Sequence, residues 1–142
     1  VLLQAESKSN LDATDYEKVR QTLIDLGIPK EQIKIKTANI DELKGVNLLS
    51  KECEVRYIIT INALKEGWDC SFAYILATFA NRSSETDVTQ LLGRILRKPY
   101  ARKQDQLALE CSYVITASKK FNDTLSQLSN SLQMIGFGSK DM

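Results

Sequence analysis

Histidine is absent from all 142 residues. That excludes imidazole general acid–base chemistry and histidine metal ligation. Cysteine is scarce: Cys53, Cys70 and Cys111 are odd in number and form no Cys-x-x-Cys pair. They argue against a disulfide framework or a zinc site and suit a reducing, cytoplasmic compartment. No charge of one sign dominates. Nineteen Lys and Arg face 18 Asp and Glu, a net charge of +1, so a polyanion has only a local patch to meet. No apolar run is long enough to cross a bilayer and no signal-peptide pattern opens the chain, so no membrane role is expected. Also missing is any Gly-x-x-x-x-Gly-Lys-Ser/Thr loop. Gly136-Phe137-Gly138-Ser139-Lys140 has the wrong order and spacing for one.

What remains is ordinary for a globular protein, at 43% hydrophobic and 26% charged residues. The length suits a single domain over residues 1–142 with its own core. The first residue is Val1, in an apolar run, and the last is Met142. A fragment of a longer chain is the expectation. Val1 to Ala5 reads as a buried strand. Asp12 to Asp15 offers helix caps, and Tyr16, Val19, Leu23 and Leu26 recur at helical spacing before Gly27. Ile33 and Ile35 alternate with Lys34 and Lys36, as on a half-exposed strand. Ile40 to Leu49 is ambiguous, a short helix followed by a loop around Gly45 being one reading. Val55 to Ile61 and Phe72 to Phe79 read as buried strands, and Tyr113 to Thr116 as a strand. Leu107 to Leu109 is too short to assign. Phe121, Leu125, Leu128, Leu132 and Ile135 form a last helical stripe ending at Gly136. Strands alternating with helices predict an α/β fold with a mostly parallel sheet and helices on both faces. Ligands of such sheets gather at the carboxyl ends of the strands.

Gln90-Leu91-Leu92-Gly93-Arg94-Ile95-Leu96-Arg97 follows a loop in which Ser84 and Asp87 resemble a capping box. At about 100° per residue, Gln90, Gly93, Arg94 and Arg97 share one helix face, and the aliphatic residues take the other. Two guanidiniums one turn apart match phosphate oxygens, and a glycine admits close approach. A solvated amphipathic face is the plain alternative. Upstream stands Thr60-Ile61-Asn62-Ala63-Leu64-Lys65-Glu66-Gly67-Trp68-Asp69-Cys70. Alone, Gly67-Trp68-Asp69 is a common turn pattern, and Trp68 is by default a packing residue.

Together the two segments resemble motifs V and VI of superfamily 2 helicases. The wording Ala-Leu-Lys-Glu-Gly-Trp-Asp-Cys, Arg-Ser-Ser and Gly-Arg-Ile-Leu-Arg-Lys-Pro-Tyr-Ala most resembles the helicase subunit of type III restriction enzymes. The resemblance covers most of the chain. It is strongest from Ile58 to Tyr100 and weak after Ala101. It implies a second, carboxy-terminal RecA-like domain: a P-loop NTPase-like fold without the Walker loop. Such a domain completes an ATP site held mainly by an amino-terminal RecA-like domain of the same chain, which also carries the Mg²⁺ site. The resemblance makes Arg97 the arginine finger and has Arg94 hold a phosphate and Gln90 orient a water or loop. It sets Gly67 and Asp69 at the ribose, with Gly93 leaving room for the nucleotide. Thr60 matches a position that touches the nucleic-acid backbone, although an ordinary strand threonine is an equal reading. Lys98 and Arg102, in a basic stretch around Tyr100, are further candidates for phosphate contact, against a solvated loop.

Mg²⁺ ligands are not expected on this chain, nor tightly bound ATP on this domain alone. Expected partners are double-stranded DNA and a methyltransferase or specificity subunit. The rivals are an RNA helicase, a DNA-repair translocase, or a non-catalytic α/β module that uses the arginines only as contacts.

Overall fold

The computed structural model describes residues 1–8, 13–61, 73–80, 112–116 and 118–134. Five strands form one all-parallel sheet: β1 (Leu2–Gln4), β2 (Ile33–Ile35), β3 (Tyr57–Thr60), β4 (Ile75–Thr78) and β5 (Tyr113–Thr116). Their spatial order is β2-β3-β1-β4-β5. Helix α1 (Tyr16–Asp25) and helix α2 (Lys119–Met134) complete the described elements, with a short 3₁₀ turn at Lys30–Gln32. The architecture is α/β, as the alternation of patterns predicts, and it agrees with a RecA-like fold.

Each face of the sheet has its own core. On one side Leu3, Ala5, Ile33, Ile35 and Ile59 pack with Val19 of α1. On the other, Leu2, Ile58 and Leu76 pack with Leu43, Ala73 and Phe121 of α2. Since β1 is central, all three of its residues are buried. A strand covered on both faces reads as a continuous run rather than an alternation.

Helix α1 begins where the sequence supplies a cap. The Asp15 side chain accepts a hydrogen bond from the Lys18 N–H at 2.9 Å, satisfying one of the free donors of the first turn. It ends before Gly27, whose φ of 86° is a conformation costly for any residue with a Cβ. Helix α2 is capped by Ser118, whose Oγ accepts from the Phe121 N–H at 3.3 Å. Thr116, at the end of β5, in turn accepts from the Ser118 N–H at 3.0 Å.

Ile40 to Leu49 forms no helix, and turns occupy the stretch instead. Its main job is to cover the open edge of β2. The Glu42 N–H donates to the Ile35 carbonyl at 3.0 Å. The Glu42 carboxylate accepts from the Ile35 N–H at 2.8 Å and from Arg20 of α1 at 3.0 Å. Both outward backbone groups of Ile35 are thereby used, which removes a template for edge-to-edge pairing. Glu42→Ala should lower the melting temperature by about 3–8 °C, because a part-buried N–H and a guanidinium lose their acceptor together. Glu42→Gln, which can still accept from Ile35, should recover part of the loss in a thermal melt. A wild-type melt for Glu42→Ala would show that the clamp is not needed.

Candidate functional site

The carboxyl edge of the sheet carries a row of polar side chains on the α2 side. Gln4 pairs in register with Thr60 on one flank and with Thr78 on the other. Thr78 is in register with Thr116. One level earlier the corresponding residues are all apolar: Ile58, Leu2, Leu76 and Val114 follow from the same registers and the alternation of side chains along a strand. The interior of the sheet is therefore oily up to its last layer, where it becomes polar.

Gln4, Thr60 and Thr78 are nonetheless buried, Gln4 and Thr60 completely. The Thr78 hydroxyl donates to Gln4 Oε1 at 3.0 Å, and Gln4 Nε2 donates to the Ile61 carbonyl at 3.4 Å. The Thr60 hydroxyl has no hydrogen-bond partner among the described residues. An amide or hydroxyl enclosed without a partner costs about 1–3 kcal/mol.

This edge is also where the chain changes face. After β1 the connection carries α1 across one side of the sheet. The connection from β2 to β3 packs Leu43, Leu48 and Val55 on the other side, and Ala73, leading into β4, packs there too. Helix α1, which follows β1, and Ala73, which leads into β4, thus lie on opposite faces. Ligands of open parallel sheets gather at this carboxyl edge.

Among the described residues, charge near this rim is modest. Beyond β1, Glu6 accepts from the Thr14 N–H at 2.8 Å and tethers the start of α1. Lys8 lies 3.4 Å from Glu17 and 3.7 Å from Asp15. The hydrogen bond to Glu17, then the charges of Glu17 and Asp15, hold its ammonium above the ordinary lysine value. Away from the rim, a hydrogen bond from Lys36 holds the Asp41 carboxyl below its ordinary value.

Of the residues assigned to a site from the sequence, Thr60 alone lies among the described residues. It stands at the end of β3, as expected, but fully enclosed. Its side chain shares the α2 face of the sheet with Gln4, its partner in register. Gly67, Asp69, Gln90, Gly93, Arg94, Arg97, Lys98 and Arg102 lie outside the described residues, as do Trp68 and the Ser84–Asp87 box. Sequence reading passed over Gln4, although one signal was available: a carboxamide inside an otherwise apolar strand.

No model of a protein family, no curated protein and no solved structure matches the chain. Among the described residues, no helix is long and apolar enough to cross a membrane.

Proposed function

We propose that this chain is the second motor domain of an ATP-dependent nucleic-acid translocase, of the kind found in the helicase subunit of a type III restriction enzyme. The observation that carries the reading is one of chain order at the carboxyl edge of the sheet. Strands β3 and β4 lie on either side of β1 and end at the same edge. β3 runs directly toward Gly67 and Asp69, and β4 runs toward Gln90, Gly93, Arg94 and Arg97. Two segments far apart in sequence therefore start about two strand spacings apart, near 10 Å.

In this reading ATP and Mg²⁺ are held chiefly by a preceding RecA-like domain that carries the phosphate-binding loop. This chain's residues act from the opposite wall of the cleft. Asp69, with Gly67 beside it, accepts hydrogen bonds from ribose hydroxyls. Arg94 and Arg97 neutralise charge that develops on the phosphates, the main catalytic need in phosphoryl transfer. Gln90 orients a water or a neighbouring loop. Lys98 and Arg102 contact the phosphates of duplex DNA, a methyltransferase or specificity subunit supplies the target site, and the work takes place in the cytoplasm.

The test is ATP hydrolysis by the intact protein with duplex DNA, single-stranded DNA or RNA added in turn. The expected result is turnover that rises most with duplex DNA. Stimulation by RNA alone would instead identify an RNA helicase. Turnover indifferent to every nucleic acid would remove the translocase reading.

A further inference from the structure

We infer that Gln4 is a positioning residue, its carboxamide joining the root of the Asn62–Cys70 segment to the root of the segment that leads to Arg97. The functional meaning of this bridge rests on the motor reading above. The bridge itself rests on geometry.

Gln4 sits on the central strand, completely buried, one layer beyond Leu2 on the same face. Its Nε2 bonds the carbonyl of Ile61, the residue just before that segment, and its Oε1 bonds the hydroxyl of Thr78, the last residue of β4. The amide has only one workable orientation. A carbonyl oxygen can only accept, so nitrogen must face Ile61 and oxygen must face Thr78. The main chain repeats the pattern. The Gln4 carbonyl accepts from the Phe79 N–H at 2.9 Å, and the next residue, Ala5, donates to the Thr60 carbonyl at 2.8 Å.

The pairing is also selective. The Thr60 hydroxyl, in register with Gln4, has no partner among the described residues. Gln4 reaches past it to the loop root. An amide serving only to satisfy polarity inside the core had a hydroxyl at its own level of the sheet. With the bond to Ile61 instead, neither root can shift along the edge without breaking a Gln4 hydrogen bond. Apolar residues of similar length, such as leucine or methionine, fill the space but do not link the two roots. Ionised glutamate sets an oxygen against the Ile61 carbonyl.

The test compares the intact protein with its Gln4→Leu/Thr78→Val and Gln4→Met variants. The first removes Gln4 and Thr78 together, so the Thr78 hydroxyl is not left facing an apolar side chain. The second keeps the side chain long and flexible in case the first does not fold. Amide hydrogen exchange is read over residues 61–72 and 79–97, and stimulated ATP hydrolysis is read as kcat and KM. Both segments should exchange faster while the sheet stays protected. kcat should fall about ten-fold or more with KM for ATP nearly unchanged, the signature of misplacement rather than lost binding. Unchanged exchange in a folded variant overturns the bridge and leaves the motor reading intact. Faster exchange with wild-type kcat overturns its positioning role. Absence of stimulated turnover in the unmodified protein overturns the motor reading, and exchange still decides whether the bridge exists.

Discussion

Arg97→Ala in the intact protein should lower kcat for ATP hydrolysis by about 10³-fold or more, with nucleotide affinity nearly unchanged. The split follows from where the charge is needed. A finger contributes mainly when negative charge spreads over the transferring phosphoryl group, so its loss weakens the transition state far more than the bound nucleotide. Arg97→Lys should recover only part of the rate, because an ammonium keeps the charge but loses the planar fork. Steady-state kinetics with a separate measurement of nucleotide binding reads both quantities. Wild-type turnover in Arg97→Ala would return the Gln90–Arg97 segment to a solvated helix face. An equal loss in binding and turnover would make Arg97 a ground-state contact.

Phe121→Ala should destabilise the fold by about 3–5 kcal/mol, a large share of the ~5–15 kcal/mol typical of a whole domain. Phe121 is fully buried and sits where α2 meets the sheet, among Leu2, Leu43, Ile58, Ala73 and Leu76. Five of these six side chains come from segments distant from α2 in sequence, so the cavity would open at a junction and not within one element. The cost combines the lost transfer free energy of the ring with an imperfectly closed void. A thermal melt should shift down by roughly 10–15 °C. Leu125→Ala, one turn further along and only partly buried, should cost clearly less. A shift below about 3 °C for Phe121→Ala would mean that α2 does not dock on this face.

Much of the fold was legible because its elements announce themselves locally. Tyr16, Val19 and Leu23 mark the stripe by which α1 packs on the sheet, Asp15 its start and Gly27 its stop, while Leu26, expected to continue the stripe, lies past the last turn and is exposed. Ile33 and Ile35 are buried, with Lys34 between them more open. The region from Ile40 to Leu49 was not legible, since what orders it is an acceptor for Ile35 of the β2 edge and for Arg20 of α1. Neither partner can be inferred from a periodicity. Thr60 shows the same limit at the candidate site. A threonine ending a β-branched run reads equally well as a surface contact or a core residue, and the choice depends on what covers that face of the sheet.

The amino-acid order alone determined the kinds of element, the faces they bury, the lack of a phosphate-binding loop, and the two motif-like segments with their spacing. Those properties follow from local sterics and from the repeat of apolar residues along one element. Tertiary structure decided the strand order, the central place of β1, the meeting of the β3 and β4 ends at one edge, and the bond from Gln4 to Ile61. Apolar periodicity says which side of a strand is hidden. Which strand lies beside it is chosen by packing between residues dozens of positions apart, where many pairings satisfy the same pattern and only the best-filled interior survives.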